Sequence, residues 1–236
     1  MGVLIFKGMS IGILPGDFVI SIDESGQSAS KLVLSTAYNV IPLWLRIARD
    51  RLNDAKRASE DIASNWDDDA DHQKAMLIAE LAPSMEVVVA CGIALDSLYD
   101  MLRPYAKLSE SDINRWKANR TGRGAQIFEV IRRVLKPENK HVKEFKKAIT
   151  DIIKFRDMAV HPTLELKNAL SRPDLDVAVD WKFSAYRFSN AWACFNTTTQ
   201  VLLFAHQREH LDQRLVVAFK NIFEALEELG VVRTNA

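Results

Sequence analysis

A chain of 236 residues is long enough to bury one full hydrophobic core, with room for a small terminal addition. Apolar residues make up 48% of it and charged residues 26%, a globular balance that excludes wholesale disorder. The formal net charge is zero, so any contact with nucleic acid has to come from a local basic patch and not from bulk charge.

The opening Met1 to Ile22 is apolar in places, but it lacks a basic start and is interrupted by Lys7, Pro15, Gly16 and Asp17. It fits neither a signal peptide nor a bilayer span, so a cytoplasmic address and no membrane partner are expected. Val3 to Phe6 and Phe18 to Ile22 are short β-branched or aromatic runs separated by Gly8, Gly12, Pro15 and Gly16. They predict an extended N-terminal arm or hairpin over residues 1–29. From Ser30 the period changes. Leu34, Tyr38, Ile41, Leu45, Ala48, Leu52 and Ala55 recur at helical steps, and Pro42 marks either a kink or a nearby helix start.

The acidic run Asp67, Asp68, Asp69 and Asp71 reads as a loop and N-cap, because neighbours on one stretch point apart and cannot converge on one ion. A second helical pattern covers about 70–102, with Val88, Cys91, Leu95, Leu98 and Leu102 as its stripe. Pro83 breaks or bends it and Pro104 stops it. A polar loop with Ser109, Ser111 and Asp112 follows. Next come a shorter helix carrying Ile127, Ile131 and Leu135, and another over about 140–160 with Phe145, Ala148, Ile149, Ile152 and Phe155 inward. Leu175, Val177, Val179, Trp181 and Phe183 alternate, which predicts an extended segment. Two last helices carry Phe188, Trp192, Phe195 and Leu202, then Leu215, Phe219, Ile222 and Leu226. The expected class is all-α, an antiparallel helix bundle over residues 30–236.

Chemistry is harder to find. Cys91 and Cys194 lie among apolar residues, outside any metal-ligand spacing, and read as buried reduced thiols. Gly8, Gly12 and Gly16 lack the lysine of a phosphate-binding loop, and no His-Glu-x-x-His or nucleophile-elbow pattern occurs. No cofactor is called for. The best lead is Arg156-Asp157-Met158-Ala159-Val160-His161-Pro162, at the end of a predicted helix. Five helical positions separate Arg156 and His161 by about 140° of rotation. A residue before proline is pushed out of the helical region, so the helix ends at His161 and its ring is free to swing toward the arginine's side. The pair then offers a planar guanidinium fork for a phosphate and an imidazole that titrates near neutrality. The same two residues in the last turn of a helix also suit the macrodipole and can cap the final carbonyls with no further role.

An arginine, four residues and a histidine resemble the signature of the HEPN superfamily, small helical proteins that dimerise and in many members cut RNA without metal. Asp157 directly after the arginine, the proline after the histidine, the helix pair before the motif and the long helix after it all agree with that resemblance. It covers roughly Ser30 to His206. It implies a HEPN-like bundle, a homodimer with Phe155 to Pro162 in its interface, RNA as substrate, and catalytic Arg156 and His161 supported by Asp157. It also implies a toxin or phage-defence setting with an antitoxin or other regulatory protein. In members controlled by a partner nucleotidyltransferase, a tyrosine two positions after the histidine is modified. Thr163 stands there in this chain, which argues against that control. The rival reading is a non-catalytic helical module that binds RNA, nucleotides or a protein.

A second basic stretch runs from Arg115 through Trp116, Lys117, Arg120 and Gly122 to Arg123. Arg120 and Arg123 are its candidate RNA contacts, with Arg132, Arg133 and Lys136 as an extension. A solvated loop and helix start is the plainer alternative.

Overall fold

A computed structural model describes residues 3–6, 8–161, 165–172 and 174–232, His141 through its backbone alone. Two compact units emerge, Met1–Val40 and Ile41–Ala236. In the first, β1 (Met9–Gly12) pairs antiparallel with β4 (Ser35–Tyr38), and β2 (Phe18–Ile22) with β3 (Ser28–Leu32). Asp23 closes the β2–β3 turn by accepting the backbone N–H of Ser25 and of Gln27, each at 2.9 Å, and Gly26 supplies the positive φ of +82° that the turn requires. Val3 to Phe6 forms no strand, since no described segment pairs with it, so of the two expected runs only Phe18 to Ile22 enters a hairpin.

The first helix starts later than the period suggests. Leu34 and Tyr38 fall in phase with the helical stripe, yet both belong to extended chain, and α1 spans Ile41–Asn65. Pro42 lies in its first turn, where a missing N–H has no carbonyl partner to lose, so it marks the start and causes no kink. Ile41, Leu45, Ala48, Leu52 and Ala55 are all buried as predicted.

A short link, 66–69, turns the chain into α2 (Ala70–Leu102), which packs back along α1. Asp69 is its N-cap and accepts the His72 N–H at 2.8 Å. Pro83 neither breaks nor ends it; the helix is continuous through that residue, which is itself buried. By length and composition α2 is apolar enough to cross a membrane, but α1, α4, α5 and α7 pack against it and make it the central element of the core. After a 3-10 turn at Arg103–Tyr105 comes a helix, α3 (Glu110–Ala118), where a polar loop is expected. The polar residues are its cap: Ser109 and Asp112 exchange side-chain and backbone hydrogen bonds in a capping box.

Gly122 then caps α4 (Arg123–Leu135), which packs on α5 (Asn139–Val160). The predicted extended segment is only half extended: β5 (Leu170–Arg172) pairs with β6 (Val177–Val179), and Asp180 caps a short helix, α6 (Trp181–Ala185). Two helices close the unit, α7 (Phe188–His206) and α8 (Gln213–Glu228). The α8 stripe of Leu215, Phe219, Ile222 and Leu226 is buried as read, and on α7 Leu202 is buried as expected while Phe188 and Phe195 pack partly buried against the core. Ala191, Cys194, Thr198, Val201 and Ala205 point inward, and Trp192 is half-exposed. The small residues let α7 approach α2 closely, an effect that a count of large apolar side chains overlooks. The observed class is thus mostly helical, with three small two-stranded sheets among the described residues.

Candidate functional site

The last turns of α5 hold the Arg156–His161 motif, and the α5–α2 contact decides where its arginine lies. The Arg156 stem crosses α2 at Gly92. A Cβ on Gly92 would lie 2.7 Å from Arg156 Cγ and 2.9 Å from its Cβ, closer than packed carbons tolerate. Glycine at 92 is therefore what admits the arginine between the two helices. One turn further along α2, on the same face, Asp96 Oδ2 receives Arg156 Nη1 at 2.8 Å.

Asp96 serves a second arginine as well. Its Oδ1 accepts Arg123 Nε at 2.6 Å, from the first residue of α4. The Arg123 guanidinium also stacks 3.8 Å over the centre of the Tyr99 ring and lies 3.7 Å from Asp100 Oδ1. One carboxylate on α2 thus binds the start of α4 to the end of α5. Arg156 is 18% exposed and Asp96 22%, so water only partly screens this pair.

Asp157 sits beside the arginine, its Oδ1 2.8 Å from Arg156 Nε. That contact is an ion pair without hydrogen-bond alignment, since the buried Nε has no acceptor in line. His161 follows as the C-cap. Its backbone leaves the helical region at φ −114° and ψ 91°, its N–H donates to the Asp157 carbonyl at 3.0 Å, and the residue is exposed. Pro162 and Thr163 lie outside the described residues. Phe155 anchors this helix end from the other side, its carbonyl accepting the Tyr186 hydroxyl at 2.8 Å.

The second basic stretch does not form one patch. Arg115 pairs with Asp112 at 2.6 Å, Arg123 with Asp96, and Arg132 and Arg133 both with Glu129. Trp116 is half-buried against the core. Arg120 stands apart, exposed at φ +47° and with no ion-pair partner among the described residues. Arg133 also donates to Asp112 at 2.9 Å, and this guanidinium holds the Asp112 carboxyl well below the usual carboxylate range.

The two thiols are buried and unpaired. Burial pushes Cys194 up to about 12 and Cys91 higher still, so neither is a nucleophile at neutral pH. Among the described residues no three His, Cys, Asp or Glu side chains are grouped to hold a metal ion.

Gly92, Asp96 and Tyr99 escape the sequence reading. A signal was present, for a glycine inside a long apolar helix costs about 1 kcal/mol against alanine and marks a close approach of another chain segment. An aspartate four residues later, on the same face, is the natural partner for a cation arriving there. Comparison with protein-family models, with curated proteins and with solved structures gives no match for this chain.

Proposed function

We propose that this chain is a HEPN-like endoribonuclease that cuts RNA through the substrate's own 2′-hydroxyl, acts as a homodimer, and serves a toxin or phage-defence role. The observation that carries this reading is the end of α5. A fixed guanidinium is clamped on α2 by Gly92 and Asp96, and five residues on an exposed imidazole leaves the helix. One group is held rigidly for a developing charge, and the other is free to move a proton.

In the reaction the 2′-hydroxyl gives its proton to a neutral imidazole and its oxygen attacks phosphorus. The bond to the 5′-oxygen breaks, and that oxygen takes a proton from an imidazolium. The products are a cyclic phosphate and a 5′-hydroxyl. Asp157, half-exposed and misaligned, is the partner that an RNA phosphate displaces from Arg156. A single helix end has little concave surface, so two copies of Phe155 to Pro162 pack across a two-fold axis to form the cleft.

The second reading, a non-catalytic binding module, draws on a specific observation: Arg156 and Arg123 are already ion-paired with Asp96, Asp157 and Asp100. An RNA-cleavage assay separates the two. Arg156→Ala and His161→Ala are each expected to lower cleavage by about 10²-fold or more while the helical circular dichroism is kept. Equal cleavage by the wild type and both variants would remove the motif from the mechanism, and none by any would favour the binding module.

A further inference from the structure

Residues 1–40 form a unit that does not bury its own apolar side chains. None of its described residues is buried, and fifteen large apolar ones are exposed. A two-stranded ribbon is marginal in water, and three or more strands with an apolar face are needed for stability. Strand β2 has what such an extension requires.

The pairing of β2 with β3 shows which backbone groups are left over. Val33 N–H donates to the Asp17 carbonyl at 2.7 Å, and Asp23 N–H to the Gln27 carbonyl at 3.0 Å, at the two ends of the ladder. Hydrogen-bonded pairs alternate along an antiparallel ladder, so Asp17, Val19, Ser21 and Asp23 turn their backbone groups to β3. Phe18, Ile20 and Ile22 therefore present their N–H and C=O groups at the other edge, where no described strand pairs. Their side chains share one face, with Leu32 opposite Phe18, and the four are 54%, 60%, 70% and 53% exposed in the order Phe18, Ile20, Ile22, Leu32.

We infer that the outer edge of β2 is an interface for a second copy of this chain, joined antiparallel about a two-fold axis through Ile20. That register sets Ile20 against Ile20 as a hydrogen-bonded pair and Phe18 against Ile22 on either side. Each edge thus supplies the donors and acceptors that the other lacks. The two ribbons become one four-stranded sheet with Phe18, Ile20, Ile22 and Leu32 of both copies on a single face. Charge points to the same occupant. Lys7 and Lys31 against Asp17, Asp23 and Glu24 leave the unit close to neutral, with no basic surface for an anionic membrane or acidic partner. The inference is independent of the RNA-cleaving reading.

Sedimentation velocity on the full chain at micromolar concentration tests it. Ile20→Pro removes the outward N–H while sparing the ladder to β3, and Ile20→Lys sets two like charges against each other. Both variants are expected to halve the particle mass with the helical circular dichroism unchanged where β2 alone joins the copies; where the α5 ends hold the same two copies, an Ile20→Cys cross-link is the deciding readout. An Ile20→Cys chain is expected to cross-link to itself on mild oxidation, since Cα atoms of a hydrogen-bonded pair lie about 5.5 Å apart, within disulfide reach. A Glu24→Cys chain is not, and the native thiols are buried. Equal mass for wild type and both variants, together with no Ile20→Cys cross-link, would overturn the interface. So would a monomeric wild type, including one that binds neutral phosphatidylcholine vesicles through β2.

Discussion

Asp96 is the residue on which the site's geometry turns, because it takes one arginine on each carboxylate oxygen. Asp96→Ala leaves two partly buried guanidiniums without their shared acceptor. It is expected to lower stability by about 1–3 kcal/mol, read from the midpoint of urea unfolding. An unchanged midpoint would mean that water screens the pair completely. Gly92→Ala acts from the other side of the same stem: it forces Arg156 off its seat and is expected to cost about 1–3 kcal/mol and to lower cleavage with it. The end of the helix at His161 was legible because the following proline is a local feature. What holds Arg156 was not, since Asp96 and Arg156 are 60 positions apart and meet only once α2 and α5 pack. The partners of the basic run near Arg123 were hidden for the same reason, as these carboxylates lie on other helices or a turn away.

At the scale of elements, stripes with a clear period were readable: all four α8 positions and the α1 positions from Ile41 onward are buried as expected. Strand β4 was missed because Leu34, just before it, and Tyr38, its last residue, happen to continue the helical phase of α1. The most informative element contact is a buried ion pair that no local pattern announces. Glu80 of α2 is 1% exposed, as is Arg172 of β5. Glu80 Oε1 accepts the Phe188 N–H at the start of α7 at 2.9 Å, and its Oε2 lies 2.8 Å from Arg172 Nη2. Arg172 also donates to Asp174 at 2.8 Å. The pair ties the β5–β6 hairpin and α7 to the central helix. Arg172→Ala strands a buried carboxylate and is expected to destabilise by about 3 kcal/mol, whereas Glu80→Gln with Arg172→Met recovers most of that loss. Loss of equal size in the single and double variants would show that packing, not charge, accounts for it.

The corner between α3 and α4 has its own pH signature. Arg133 and the Ser109 cap hold the Asp112 carboxyl below its ordinary range, so the folded state binds its proton less readily than the unfolded chain. That contribution is complete above the ordinary carboxylate range and fades as pH falls through it toward the folded value. Thermal melts of wild type are expected to fall below about pH 4 more steeply than those of Asp112→Asn. Parallel curves would remove Asp112 from the acid sensitivity of the fold.

For the whole molecule, the question is whether a mostly helical protein with zero formal net charge can act on RNA. Bulk attraction is absent, so on the proposed reading RNA contact rests on the end of α5, aided by cations such as Arg120 that have no ion-pair partner among the described residues. Binding on that basis is expected to be weak in salt dependence, because few phosphates are neutralised, and a steep salt slope would point to another surface. Chemistry is the sharper criterion. The most direct measurement uses an RNA with a single 2′-deoxy nucleotide at the scissile position, digested with and without a chelator. Cleavage is expected to persist in the chelator, to stop at the deoxy position, and to leave a cyclic phosphate or its hydrolysed form on the upstream product. Cleavage that disappears with the chelator, or that cuts the deoxy site as readily as the ribose one, would contradict the proposed chemistry.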